Sequence, residues 1–294
     1  MNFENVRIYG FESALRGMRN PLESWDKSDS FFGVINYYQD ADEYQIADLY
    51  ANKMLEDVIG STYETDFYDY KVELTEKYAD WLCRQNDYNA GIVDWEYCHV
   101  DLIGPNDLSL ACRLIKAGPE HRKFLRQIFV SVDITAPLFW WKEFDTYKVG
   151  TTANSTSTMH KMASKPITLE CFEIDDFEQL EFDGGEIETI IGYCERLRLK
   201  YLETNDKRYW KELIRWLPES WLQTRTVTMT YENLLAMCSK GQRRFHKLNE
   251  WSGVDNPLKP NFIKFARSLP YAQHFIFLDE IKNDVIDINN FDNL

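Results

Sequence analysis

A compact group of cations stands out in a chain that is otherwise strongly acidic. Arg243, Arg244, His246 and Lys247 lie together in the run 242–247, whereas the 294 residues carry a formal net charge of −15. An arginine guanidinium binds phosphate oxygens as a two-pronged donor, so this run suits a nucleotide phosphate. The alternative is a solvated helix face whose cations pair with the surplus of Asp and Glu. Because crowded cations repel one another unless an anion is near, both interpretations stay open.

Residues 136–161 form a second candidate stretch, in which an aromatic helix runs into a loop of small hydroxyl and amide side chains. Such side chains are short and easily positioned, so the loop 151–157 can hydrogen-bond a phosphate or a uracil-like edge. The alternative is that Trp140 and Trp141 anchor the core and that the loop is an ordinary turn. This stretch alone does not separate the two interpretations.

A third stretch, 118–123, places Glu120, His121 and Arg122 after a Gly-Pro pair. These residue types suit a general base or a phosphate contact at a helix start. Solvated polar residues at a helix end are the commoner outcome, and we favour that interpretation here.

Several well-known catalytic motifs are absent from the sequence. It contains no GxGxxG, GxxxxGK[ST], GxSxG or HExxH pattern and no EF-hand loop, and its five histidines lack metal-ligand spacing. The six cysteines form no close pair, which is typical of reduced thiols packed as small core residues. The sequence therefore predicts no metal site.

Hydrophobic periodicity and turn residues predict the elements that position these candidates. The pattern predicts strands over 6–9, 128–135 and 225–229 and loops over 17–21 and 151–157. It predicts helices over 40–58, 71–85, 106–117, 137–144, 185–203, 207–216 and 231–251.

Composition and charge narrow the class of protein. A hydrophobic fraction of 44% with 15% aromatic residues argues against wholesale disorder. No apolar run approaches the ~20 residues of a membrane helix and the first residues resemble no signal peptide, so we expect a cytoplasmic protein without a membrane partner. The net charge of −15 disfavours general nucleic-acid binding through the phosphate backbone.

No repeat and no convincing linker divides the chain. We therefore expect one α+β domain over 1–294, with an acidic, helical insertion over 30–100 and an acidic tail over 279–294.

Taken in order, these stretches resemble the flavin-dependent thymidylate synthases. That family has a helix ending in a glycine turn, a strand, a helix with the pattern RHRxxSxNExSxRY, a helix ending in Leu-Pro, a short strand and a final helix with a substrate-binding Arg. The resemblance covers 105–160 and 190–252, about half of the chain, and rests on order and spacing. It implies a central, mostly antiparallel sheet flanked by helices.

The resemblance assigns the substrate-binding residues one by one. Asn154 and Ser157 match the Asn and the Ser of NExSxRY, and Arg243 or Arg244 stands for the later substrate Arg. The pattern is broken elsewhere, because Ser155, Met159 and His160 replace its Glu, Arg and Tyr.

The flavin-binding Arg-His-Arg of that family is missing from this chain. Its positions fall on 143–145 if counted from Pro137 and on 147–149 if counted back from Asn154. In the first alignment Glu143 and Asp145 replace arginines, and two carboxylates repel a flavin diphosphate.

Two functions follow from the resemblance. The first is reductive methylation of dUMP, or a related pyrimidine nucleotide, by a homotetramer that uses FAD, NADPH and methylene-tetrahydrofolate. In that case reduced flavin carries the chemistry and no residue of this chain is a nucleophile. The alternative is a relative without flavin chemistry that serves as a nucleotide- or protein-binding accessory.

Overall fold

A computed structural model describes residues 1–36, 97–174 and 185–281 of the chain. The helices expected over 40–58 and 71–85, most of the expected 30–100 insertion and the tail beyond 281 lie outside these residues. Within them, the strands Phe31–Asn36 and Tyr97–Leu102 flank residues 37–96 and pair antiparallel.

The strands form a four-stranded sheet and a two-stranded sheet. They are β1 Asn2–Tyr9, β2 Phe31–Asn36, β3 Tyr97–Leu102, β4 Phe129–Pro137, β5 Thr152–Ser155 and β6 Leu222–Thr230. The larger sheet has the order β1-β4-β6-β5. The helices are α1 Phe11–Arg19, α2 Pro105–Ala117, α3 Leu138–Phe144, α4 Thr158–Lys161, α5 Gly185–Thr204, α6 Lys207–Trp216, α7 Tyr231–Met237, α8 Asn249–Ser252, α9 Phe262–Arg267 and α10 Ala272–Phe275.

Side-chain contacts fix the direction of the central strands. The Thr135 and Thr224 hydroxyl oxygens lie 2.7 Å apart, and Thr226 Oγ1 donates to Asp133 Oδ1 at 2.5 Å, so β4 and β6 run antiparallel. β5 also pairs antiparallel with β6. The mostly antiparallel sheet of an α+β fold, predicted from the sequence, is confirmed.

The two faces of β4 differ in polarity. Val130, Val132 and Ile134 are fully buried, whereas the alternate residues Asp133 and Thr135 are only half-buried. Side chains of a strand point alternately to opposite faces, so one face of the sheet packs on the core while the other presents short polar groups.

The described residues fall into two compact units. The first contains Met1–Glu4, Ser131–Met229 and Phe245–Phe262, and the second contains Asn5–Val130, Thr230–Arg244 and the residues from Ile263 onward. The expectation of one domain over the whole chain stays a prediction.

An aromatic cluster forms the core of the first unit. The ring of Trp140 lies 4.6 Å from that of Trp251 and 5.2 Å from that of Phe144, and Phe262 closes the group at 5.0 Å from Trp251. Trp140 and Trp141 are at most 1% exposed, so they anchor the core. Rings at these distances add to the energy of burial alone.

A buried ion pair organises part of the second unit. Asp107, which is 0% exposed, accepts hydrogen bonds from Arg19 Nε at 2.5 Å, Ser28 Oγ at 2.6 Å and Ser30 Oγ at 2.5 Å. Asp29 accepts the backbone N–H of Asp107 at 3.1 Å in the first turn of α2. These bonds hold the chain before β2 against the start of α2.

Most predicted elements are confirmed, including the strands 6–9, 128–135 and 225–229 and the helices 106–117, 137–144, 185–203 and 207–216. The loop predicted over 17–21 is wrong, because α1 continues to Arg19 and is followed by a 3-10 turn, Asn20–Leu22. Met18 is buried on the same face as Ala14 and Leu15, and that burial outweighs the low helix propensity of a glycine.

Two further elements differ from the sequence prediction. The loop predicted over 151–157 contains β5, because the neighbouring β6 supplies backbone partners for Thr152–Ser155. The helix predicted over 231–251 begins with a capping box at Thr230 but ends at Met237, and turns occupy residues 241–245. The guanidinium of Arg244 donates to the carbonyl oxygen of Cys238 at 2.7 Å, which turns the chain back on itself.

We expect Asp107→Asn to lower the free energy of unfolding by about 3–5 kcal/mol, because it leaves the buried Arg19 guanidinium without a counter-charge. The measurement is urea unfolding followed by tryptophan fluorescence. Glu219→Gln is the matched control, because its partner Lys142 is 68% exposed and an exposed pair contributes less than about 1 kcal/mol. Equal losses in the two variants would contradict a stabilising role for the Arg19–Asp107 pair.

Candidate functional site

The predicted substrate-binding residues are divided between the two units. Asn154 and Ser157 belong to the first unit, and Arg243 and Arg244 belong to the second.

A row of polar side chains crosses three strands of the first unit. Asn154 on β5 lies opposite Thr226 on β6, and Thr226 in turn donates to Asp133 on β4 at 2.5 Å. Asn154 and Thr226 are exposed and Asp133 is half-buried. An amide, a hydroxyl and a carboxylate together offer donors and acceptors of the kind that a uracil edge requires.

Arg225, which we did not single out in the sequence, braces this region from the other face of the sheet. Its Nε donates to Gln223 Oε1 at 2.9 Å and its Nη1 to Asp145 Oδ1 at 2.8 Å, and its guanidinium lies 4.2 Å from the centre of the Trp141 ring. Gln223 Nε2 donates to the carbonyl oxygen of Thr156 at 2.9 Å. These contacts tie the end of α3 and the segment after β5 to β6. The sequence signal was an arginine in a strand of alternating polarity.

The segment after Ser157 is fixed to the helical pair α5 and α6. Trp210 Nε1 donates to the Met159 carbonyl at 2.9 Å, and the backbone N–H of Ile167 donates to Glu195 at 2.8 Å. A hydrogen bond from Arg198 lowers the pKa of Glu195 below its usual range despite partial burial. The segment 154–157 is therefore held by β6 on one side and leads directly into a docked segment.

Arg244 makes internal contacts in the second unit. It is 3% exposed, its Nη1 lies 2.8 Å from Asp279 and 3.1 Å from Glu280, and its Nε donates to the Cys238 carbonyl. Because α7 ends before this run, Arg244 lies on no solvated helix face, although it does pair with acidic residues as that alternative expected. Its carboxylate partners already occupy the positions that a phosphate would take, so phosphate binding at Arg243 or Arg244 stays a prediction.

The carboxylates around Arg244 are shifted toward the charged form. Burial alone raises the pKa of Asp279, but the hydrogen bond and charge of Arg244 outweigh it, and the pKa lies below its usual range. The pKa of Glu280 is lowered mainly by its hydrogen bond from Arg267. The network therefore stabilises the fold in its ionised state.

The stretch 118–123 lies at the end of α2. Gly118 adopts a positive φ of 106° after the helix, and Arg122 Nε lies 3.1 Å from Glu232 Oε2. His121 is exposed. These positions agree with polar residues at a helix end, as we favoured from the sequence.

The positions aligned with the flavin-binding motif do not fit a flavin diphosphate. Phe144 is buried, Asp145 is bonded to Arg225, and Val149 is 89% exposed. Lys148 is the cation among these positions, and it is exposed on a turn. The family's paired arginines therefore have no counterpart at 143–145 or 147–149.

Cys112, Cys194 and Cys238 are not activated nucleophiles. Burial raises the pKa of the Cys112 thiol to about 11 and also raises that of Cys194 and Cys238. A thiolate is scarce under such conditions. Across the three described ranges, no group of three or more His, Cys, Asp and Glu side chains could hold a metal ion, and no helix there is long and apolar enough to span a membrane.

Comparison with solved structures finds proteins similar to this chain. The thymidylate synthase ThyX of Helicobacter pylori, in a crystal structure with FAD and dUMP, matches with a TM-score of 0.50 at 12% identity, covering 95% of this chain and 98% of that one. Another structure of that enzyme with FAD and dUMP gives 0.44 at 16% identity, covering 70% and 95%.

A related match is the UMP/dUMP methylase PolB of Streptomyces cacaoi, bound with 5-Br UMP. It has a TM-score of 0.40 at 14% identity and covers 60% of this chain and 83% of that one. No family model matches the chain, and no curated protein matches its sequence. The first match therefore shows that the fold is the one predicted from the order of elements, that of the flavin-dependent thymidylate synthases.

Replacing Arg244 with Met should lower the free energy of unfolding at pH 7 by about 2 kcal/mol, because the Cys238 carbonyl and two carboxylates lose their donor. An acid whose folded pKa is depressed stabilises the fold above its usual pKa of about 4, and this contribution is lost as the pH falls through the folded value. Urea unfolding at pH 7 and near pH 3 should therefore show the difference from wild type shrinking in acid.

Arg243→Met is the neighbouring control for this measurement. We expect a smaller loss for it at pH 7, because Arg243 is less buried than Arg244. A loss that is independent of pH, or larger in Arg243→Met, would show that the Arg244 network is not the stabilising element.

Proposed function

We propose that this protein binds a pyrimidine nucleotide, dUMP or a close relative, through the polar segment 154–157 in the first unit. The supporting observation is the row Asn154–Thr226–Asp133 on a braced sheet, in which Asn154 and Thr226 are exposed and Asp133 is half-buried. The fold adds support, because the Helicobacter pylori enzyme that shares it is complexed with dUMP.

The braced position of the segment suits recognition of a small ligand. Register with β6 fixes Asn154, and the hydrogen bond from Gln223 to the Thr156 carbonyl fixes the chain just before Ser157. Groups that are ordered before binding lose less entropy on binding, which favours affinity for a small planar base.

The reaction that accompanies this fold is reductive methylation of the pyrimidine, with FAD, NADPH and methylene-tetrahydrofolate. We propose it for this chain on the fold alone, with homotetrameric assembly. FAD supplies the redox chemistry when bound, and the residues of this chain would bind and orient the nucleotide.

A second candidate function is nucleotide binding without flavin chemistry. The observation that favours it is the pair of acids, Glu143 and Asp145, at positions where the family has arginines. Each missing Arg–phosphate contact removes about 1.5–3 kcal/mol of charge-assisted hydrogen bonding. In that form the protein would serve as an accessory that binds a nucleotide or another protein.

We expect wild-type protein to bind dUMP in isothermal titration calorimetry, and Asn154→Ala and Ser157→Ala each to weaken binding about five- to tenfold. This is the loss expected for one hydrogen bond of about 1–1.5 kcal/mol. Ser164→Ala is the matched control, because Ser164 is an exposed serine of the same unit that lies outside 154–157. Absence of dUMP binding, or an equal loss in Ser164→Ala, would contradict the proposed site.

The absorbance spectrum separates the two candidate functions. Flavin bound to the purified protein, or taken up on incubation with FAD and retained through desalting, should absorb between about 350 and 500 nm and support reductive methylation. A protein that binds dUMP but retains no flavin would favour the accessory function. Retention that survives Lys148→Ala unchanged would show that the flavin is held elsewhere than at 147–149.

A further inference from the structure

We propose that α6 carries a binding surface for the phosphates of single-stranded nucleic acid and guides a strand alongside the segment 154–157. The inference deepens the proposed function and rests on it, since it names a pyrimidine within a strand as the ligand of the same region. We call the surface the basic face of α6 and define it by Lys207, Arg208, Lys211 and Arg215.

The four cations lie on one side of α6. At 3.6 residues per turn they fall within about 100° of the helix circumference and extend about 12 Å along its axis. All four are exposed, and the opposite side of the helix packs inward through Leu213, which is fully buried. A helix that separates charge and apolar residues this completely presents its charge to whatever lies outside.

Part of this charge is not neutralised by neighbours. Arg208 pairs with Asp206 and Arg215 pairs with Glu212, but both arginine side chains stay exposed, at 90% and 58%. Lys207 and Lys211 form no ion pair with any residue that the structure describes. The face with its two acidic neighbours therefore keeps a net charge of about +2 in a chain of −15.

The long-range charge of the chain does not cancel this local surface. At physiological ionic strength charges are screened over about 8 Å, so a phosphate at the basic face responds chiefly to the nearest side chains. The overall charge still opposes a duplex, which would bring many phosphates near acidic surface. A single strand that follows 12 Å of helix contacts only about two or three phosphates.

An exposed aromatic ring beside the cations favours a single strand over other anions. Trp216, at the end of α6, is 60% exposed, and its Nε1 donates to Glu212 at 2.8 Å. Proteins that bind single strands combine a positive track for the backbone with aromatic rings on which unpaired bases stack. Bases inside a duplex have no free faces for such stacking.

The helix that carries the basic face is attached to the chain just after the proposed nucleotide segment. Trp210 on α6 donates to the carbonyl oxygen of Met159, two residues beyond Ser157. Trp210 lies about 60° around the helix from Lys207, so the proposal requires a strand on the basic face to cross this edge of α6 to reach 154–157. The surface also places cations in the same unit as Asn154. Arg244 belongs to the other unit.

The test is fluorescence anisotropy with a labelled single-stranded oligodeoxyuridylate of about twelve nucleotides. We expect the wild-type Kd to rise about tenfold between 50 and 200 mM salt, as two or three phosphate contacts predict. Lys207→Glu combined with Lys211→Glu should weaken binding about tenfold or more at low salt. Trp216→Ala should weaken it about fivefold, and Trp216→Phe should restore most of that loss because it keeps a stacking ring.

The matched control combines Lys116→Glu with Lys123→Glu, an equal charge change at exposed positions of the other unit. It should change the Kd less than about twofold. The inference is overturned if wild-type protein does not bind the oligonucleotide at low salt, if the control loses as much as the α6 variant, or if a duplex or anionic vesicles bind more tightly than the single strand.

Titration with dUMP separates this inference from the proposed function. The α6 double variant should bind free dUMP with its wild-type affinity, because the changed lysines lie outside 154–157. Loss of oligonucleotide binding with dUMP binding intact supports the basic face as a separate strand contact. Wild-type protein that binds dUMP but no oligonucleotide overturns this inference and leaves the proposed function standing.

Discussion

A buried guanidinium must find a counter-charge inside the protein, and this requirement determines much of the structure. Transferring a charge out of water costs several kcal/mol, which is recovered only through close, hydrogen-bonded partners. The buried Arg19 pairs with Asp107 and the buried Arg244 pairs with Asp279 and Glu280, while the half-buried Arg225 pairs with Asp145. Each of these pairs joins segments that are distant in the sequence, so the three arginines add tertiary links to those made by the sheet.

The same requirement separates structural cations from those that can meet a ligand. Arg225 and Arg244 are committed to internal carboxylates, whereas Lys207 and Lys211 on α6 face solvent. Asn154 reaches the surface for a different reason, because β5 pairs with β6 and alternation turns its amide outward beside Thr226. The first unit thus presents short polar groups at Asn154 and Thr226 and exposed cations on α6, the two features on which the proposed ligand contacts rest.

The shared fold carries no guarantee of shared chemistry. The match to the Helicobacter pylori enzyme covers 95% of this chain at 12% identity, which leaves the architecture intact while almost every side chain differs. A fold survives such change as long as the pattern of buried apolar residues and their packing are kept. Cofactor binding, in contrast, depends on a few side chains at specific positions. At the positions aligned with the family's Arg-His-Arg, Phe144 packs in the aromatic cluster and Asp145 serves Arg225. Phe144 and Asp145 therefore contribute contacts to the fold.

Local periodicity determined what the sequence could reveal by itself. The helices at 106–117 and 207–216 and the strands at 128–135 and 225–229 are set by spacing within a few residues, and their order was enough to indicate the fold. The tertiary structure alone decided that Arg244 is buried, that Arg225 braces the 152–157 region, that 152–155 is a strand and that α7 stops at Met237. Each of these features depends on a partner that is distant in the sequence or on a turn that is fixed by one buried side chain. Such interactions leave no periodic pattern in the sequence.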